Sequence, residues 1–255
     1  MAVFWRLVLA HFMADFALQT DAVFSVKKRF SWGVLLHVAI FALTSIAATG
    51  PYLNNPPFWG GLVFLWLFHA AVDKAKLSFN SSGRGDHLGT FLLDQMLHLV
   101  AIGLVCLFLT RHFRMIAAVD DSASLIPRLK LGTAYIIAIW VSPVLSFYIP
   151  SVALRSGSPR PPKGIVGSCQ QTSKQALIKN IDSRPTAQWR LMGYVQRGGL
   201  VAAITGGGRL LFLIPLLLLP GAGLWVSEGK KDTALRELVL GSLIALGMGL
   251  WGRTL

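Results

Sequence analysis

Apolar residues in this chain fall into long blocks separated by short polar or Gly/Pro-rich breaks. The blocks predict membrane-length helices at roughly 2–20, 32–50, 57–76, 88–110, 131–153 and 234–252. A further stretch at 198–226 contains Gly206-Gly207-Gly208, Arg209, Pro215 and Pro220, so one kinked span and two half-helices both fit it. Pro143 and Pro150 predict a kink and an end for the fifth span. Breaks are plain at Gly50-Pro51, Asn54-Asn55-Pro56-Pro57 and Asn80-Ser81-Ser82-Gly83. The longest polar stretch, about 155 to 190, is expected to be solvent-exposed. The fold class that follows is all-α, a polytopic transmembrane helix bundle of about six or seven spans. It divides into a bundle half at 1–153, a basic cytoplasmic loop with a short amphipathic segment at 154–197, and C-terminal spans of the same domain at 198–255.

Composition agrees with the pattern. The chain has 255 residues, 54% hydrophobic, with mean hydropathy +0.59 and only 14% charged, where a soluble domain carries roughly a quarter. A formal net charge of +13 would point to nucleic acid in a soluble protein. Here the basic residues sit mostly between apolar blocks, so they are expected to set topology and meet anionic lipid headgroups, with the bilayer as partner and no nucleic acid. Lys27, Lys28 and Arg29 mark the first loop, Lys74, Lys76 and Arg84 the third, and Arg155, Arg160 and Lys163 begin the fifth. The second loop, 51–56, has none, and the fourth mixes Arg111, Arg114, Arg128 and Lys130 with Asp120 and Asp121. The bias places odd loops in the cytoplasm and the N-terminus outside. The N-terminal block lacks a basic leader and carries His11 and Asp15, so it is read as a retained span rather than a signal peptide. Cys106 and Cys169 have no metal-like spacing and are not expected to pair.

The polar residues inside the blocks carry the chemistry. His11/Asp15, His37, His69/Asp73 and Asp94/His98 lie in segments otherwise apolar enough to cross a membrane. An ionised carboxylate at bilayer depth costs about 2.5–3.5 kcal/mol on insertion scales, so these groups are expected to face one another. A four-residue spacing puts each pair on one helix face. Alternating topology brings all these residues to the cytoplasmic half of the bilayer. His and carboxylate groups converging from four helices suit a mono- or dinuclear metal site, with Gln19, Gln95 or Lys76 as supporting groups. Two other readings stay open: polar pairs that only register the helices, and a proton or cation relay in a transporter. His87 reads as solvated and His112 as interfacial, while Gly206-Gly207-Gly208 lacks the Lys-Ser/Thr of a phosphate loop.

With these residues in place, the chain resembles a bacterial inner-membrane family, domain of unknown function 3307. The resemblance rests on His11, Asp15, Phe16, Leu18, Gln19 and Thr20 (H-x3-D-F-x-L-Q-T), on His37, on His69, Asp73 and Lys76, and on Phe91, Leu92, Asp94, Gln95 and His98. A later segment, Arg190-Leu191-Met192-Gly193-Tyr194-Val195-Gln196-Arg197, is similar to the family's R-L-I-G-x-L-E-R. The family often has a second histidine where this chain has Phe41, and a glutamate where it has Gln196. The resemblance implies a bacterial plasma membrane location and one shared site, and supplies no reaction. From the residues themselves, the leading expectation is a metal-dependent hydrolase or transferase acting on a lipid or lipid-linked phosphate. His11, His37, His69, His98, Asp73 and Asp94 would hold a divalent ion (Zn, Mn or Fe). Asp15 would be ligand or general base, and Lys76 would steady a phosphate.

Overall fold

The block at 88–110 folds as one long helix, here α5 (Leu88–His112). His87 starts it: its Nδ1 accepts the Thr90 N–H at 3.2 Å while Thr90 Oγ1 accepts the His87 N–H at 3.2 Å, a reciprocal cap that satisfies two end donors. His87 is therefore a helix cap. The computed structural model describes residues 2–30, 32–80, 87–113, 125–145, 187–206 and 231–254. Among them every regular element is helical. Most of the expected 155–190 loop, Pro150, and positions 207–226 of the ambiguous stretch lie outside the described residues.

Upstream of α5, the first block becomes α1 (Ala2–Phe12), which passes into a π-helical turn at Met13–Ala17. Thr20 then caps α2 (Asp21–Arg29), accepting the Val23 N–H at 3.4 Å. Taken with its π turn, α1 is bent from α2 by 84°. α3 (Gly33–Ala48) begins directly beneath α2. A Cβ at residue 33 would collide with the Val26 carbonyl oxygen and lie 2.7 Å from Lys27 Cα, so glycine is needed for this approach. α4 (Pro56–Phe79) opens with prolines in its first turn, where no N–H is required. α6 (Leu125–Ile136) runs into a second π turn at Ile137–Val141 just before Pro143. The helix runs on through Pro143 to Leu145 as one element, with the π turn lying just before the proline, which has no N–H for the Ile139 carbonyl. α7 (Ala187–Thr205) and α8 (Lys231–Arg253) follow.

The inward stripe of each N-terminal helix repeats every three or four residues, and it changes character along its length. In α4 it runs Phe58, Leu62, Leu65, His69, Asp73; in α5 it runs Asp94, His98, Ala101, Ile102, Cys106, Leu109. α1 contributes Val3 and Leu7 before His11, and α3 contributes His37, Phe41 and Ser45. One end of the bundle is an apolar core and the other a polar layer. The outward stripe is the reverse: Leu93, Met96, Val100, Leu104 and Leu107 of α5 are all exposed. α7 and α8 pack together against α6 and its π turn, around Ala138, Leu200, Val201 and Ala245.

Among the described residues, two helices are long and apolar enough to cross a membrane, Leu88–His112 and Leu125–Leu145, or three if the bent pair Ala2–Ala17 and Asp21–Arg29 is one span. That is fewer than six or seven. Gly33–Ala48 and Val239–Arg253 are apolar but shorter. α4 has the length, but its prolines, His69, Asp73, Lys74 and Lys76 dilute its hydropathy.

Candidate metal centre

All seven polar residues singled out within the apolar blocks converge in the polar layer, and each is buried: His11, Asp15, His37, His69, Asp73, Asp94 and His98. The imidazole rings form a cluster, with centroids 4.2 Å apart for His69 and His98, 4.9 Å for His11 and His98, and 5.1 Å for His37 and His69. The π turn after α1 carries Asp15; the wider turn re-aims the side chains beyond it, and π turns concentrate at such sites.

Four donor atoms close a ring. Asp15 Oδ1 lies 3.2 Å from His37 Nε2 and 3.4 Å from His69 Nε2; Asp73 Oδ2 lies 3.6 Å from His37 Nε2 and 3.5 Å from His69 Nε2. Ligands held tetrahedrally at about 2.0–2.2 Å from a zinc-like ion stand roughly 3.4 Å from one another. The four edges have about that length, and within the ring His37, His69 and Asp73 form a group whose ligand atoms all lie within 4.8 Å of one another. The donor set, two imidazoles and two carboxylates, is also what such ions take. Neither nitrogen of His69 has a hydrogen-bond partner, although the residue is fully buried. An orphaned buried imidazole is costly unless something else engages it. The cluster is therefore able to hold a metal ion.

The other residues surround the ring. Asp94 Oδ2 pairs with Lys76 Nζ at 3.0 Å and accepts from Gln95 Nε2 at 3.2 Å. Gln95 Nε2 also donates to Asp15 Oδ2 at 3.2 Å, which orients the amide so that its Oε1 accepts from His11 Nε2 at 3.3 Å. Gln95 thus ties three members together from one side chain. Lys76 is only partly buried and sits at the edge. Phe41 stacks on the His69 ring with centroids 4.8 Å apart.

Lys27 belongs to this site too, and the sequence pattern does not reveal it. Counted as a loop charge, it is buried on α2, and its Nζ lies 2.6 Å from Asp73 Oδ2. Its position after the Thr20 cap, within a short helix, is a signal for α2; its partner on α4 leaves none. Gln19 supports it, accepting from Lys27 Nζ at 3.4 Å. Asp73 and Asp94 each have a lysine, whereas Asp15 has three imidazoles and an amide.

No curated protein and no solved structure matches the chain. Residues 3–126 match the family model described as protein of unknown function (DUF3307), which spans α1 to α5 and every residue of the cluster. The part of the chain that builds the His/Asp centre is therefore the part that is similar to that family.

Proposed function

We propose that this is a polytopic membrane protein, of about six or seven spans with the N-terminus outside, whose polar layer holds a divalent metal and carries out hydrolysis or group transfer on a lipid or lipid-linked phosphate. The observation that carries the metal reading is the buried group His37, His69 and Asp73, whose ligand atoms lie within 4.8 Å of one another, with Asp15 Oδ1 3.2 and 3.4 Å from the two imidazole nitrogens. Support for a bilayer comes from the reversed polarity of α5, which buries Asp94 and His98 and exposes Leu93, Met96 and Leu104. In water that arrangement would be unfavourable on both faces. The bacterial plasma membrane comes from the family resemblance alone.

A bound divalent ion supplies Lewis acidity and an activated water. The chain's own residues do the rest. His37, His69 and Asp73 hold the ion, and the ring geometry favours Asp15 as a ligand over a free base. Gln95 and Lys27 orient the carboxylates, as outer partners of a metal site do. Lys76, at the edge and already beside Asp94, is the group a phosphate would meet first. Elemental analysis of the purified protein tests the centre. Zn, Mn or Fe should be bound in the wild type and lost in His69→Ala, and a chelator should destabilise the wild type by about 3 kcal/mol if metal is present near 100 times its Kd. Metal-free protein indifferent to both chelator and added ion would sink the proposal.

A second reading, a proton- or ion-coupled transporter, draws on one contact pattern: Asp15 Oδ1 lies within 3.7 Å of the imidazoles of His11, His37 and His69. Flux into proteoliposomes that disappears with Asp73→Asn, from protein holding no metal, would favour it.

A further inference from the structure

We infer that the centre holds two cations rather than one, with Asp15 shared between them; this rests on the metal reading above. His37, His69 and Asp73 form one compact group of three donors, with Asp15 Oδ1 3.2 and 3.4 Å from its two imidazole nitrogens. Three more donors remain outside it, each buried and each without a hydrogen-bond partner: His11 Nδ1, Asp94 Oδ1 and His98 Nε2. In each case the companion atom is occupied. His98 Nδ1 donates to the Asp94 carbonyl at 2.8 Å, so its Nε2 keeps the lone pair. His11 Nε2 donates to Gln95 Oε1 at 3.3 Å, so its Nδ1 keeps the lone pair. Asp94 Oδ2 takes Lys76 and Gln95, leaving Oδ1.

Pinning one nitrogen so that the other is presented is how proteins prepare a histidine for a metal. Here it occurs twice, on different helices, with the free atoms in the same layer. Asp15 connects the two halves. Its Oδ1 is a corner of the ring and lies 3.7 Å from His11 Nδ1, and it forms a compact donor group with Asp94 and His98 within 4.8 Å. A single ion reaching only about 2.2 Å to its ligands cannot engage donors on both sides of Asp15. Two ions about 3.5–4 Å apart, bridged by a carboxylate, can, and paired ions at that separation suit displacement at a phosphorus centre.

The full-length protein in detergent, stripped with chelator and re-equilibrated with Mn(II), should bind two equivalents per chain and give a spin-coupled EPR signal. His98→Gln and His37→Gln should each reduce the bound Mn(II) to one equivalent with an uncoupled spectrum. One equivalent in the wild type, with no coupling, overturns the two-ion inference and leaves the single-ion reading standing. No bound Mn(II) at all overturns both. The wild-type stoichiometry and spectrum decide the matter even if a variant fails to fold.

Discussion

Among the described residues charge is buried in two regions, and it is surrounded differently in each. In the α7/α8 pair Arg197 is 1% exposed. Space has been cleared around it: a Cβ at Gly193 would lie 3.0 Å from its Nη atoms, and one at Gly241 would lie 3.0 Å from Nη1. Its Nη2 reaches within 3.5 Å of the Ile139 carbonyl, the group deprived of an N–H by Pro143, and its guanidinium lies over the Tyr194 ring at 5.7 Å. Beside it Gln196 Nε2 donates to Ser242 Oγ at 3.0 Å. That region is a fitted joint between helices. The His/Asp layer is the reverse, crowded with donors and acceptors yet leaving several lone pairs unengaged. What sets the layer apart is that the unengaged atoms are metal-ligating types, His11 Nδ1, His69 Nε2, Asp94 Oδ1 and His98 Nε2.

The sharpest way to break this contrast is through Lys27. Removing one partner of a buried ion pair strands the other, at about 3–5 kcal/mol. Lys27→Met should therefore destabilise the metal-stripped protein by about that amount in equilibrium unfolding in mixed micelles. With saturating Mn(II) the loss should be clearly smaller, because the ion then neutralises Asp73. Lys28→Met, on the exposed side of the same helix, should change little in either state. An equal loss with and without metal would mean that Asp73 is only half of a structural pair, and the two regions would no longer differ in kind.

Lys27 also marks where sequence reading stops. The four-residue His/Asp spacings named the helix faces that meet, and alternation of the spans put them at one depth; both depend on local periodicity, which a sequence displays directly. Gln95 could be singled out because it adjoins Asp94 in the same apolar block. The Lys27–Asp73 pair could not, since it joins residues on separate helices through a bend of 84° that no local pattern encodes. The π turn at Met13–Ala17 is equally silent, because an inserted residue looks like ordinary helix in composition. Among the described residues only two helices, or three with the bent pair, meet the length and hydropathy of a span. Apolar blocks interrupted by inward polar residues form helices such as α4 and yet do not reach the hydropathy of a lone span.

The C-terminal joint offers the next test, of intermediate size. Gly241→Leu should force the guanidinium of Arg197 out of place and cost about 1–3 kcal/mol by overpacking. On the same helix a Cβ at Gly247 meets nothing within 4 Å, so Gly247→Ala should stabilise by about 0.5–1 kcal/mol through helix propensity. Neither should alter bound metal. If Gly241→Leu released metal from the N-terminal layer, the π turns of α1 and α6, which touch, would be coupling the two regions.

The smallest effect is expected on the outward stripe of α5, and it is informative because it is small. Leu104 is 62% exposed, while Ile102, two positions earlier, is fully buried. Ile102→Ala in the core should fall in the range of about 2–5 kcal/mol for such truncations, through the cavity it leaves. Leu104→Ala opens no cavity within the chain, because lipid or detergent fills the space, and should stay within about 0.5 kcal/mol. The comparison separates two explanations of an apolar exterior. A face turned to hydrocarbon tolerates the loss of a side chain, since one apolar neighbour replaces another. A loss for Leu104→Ala comparable to that of Ile102→Ala would mean that another protein surface is packed there, and the stripe would have to be read as an interface rather than as the boundary with lipid.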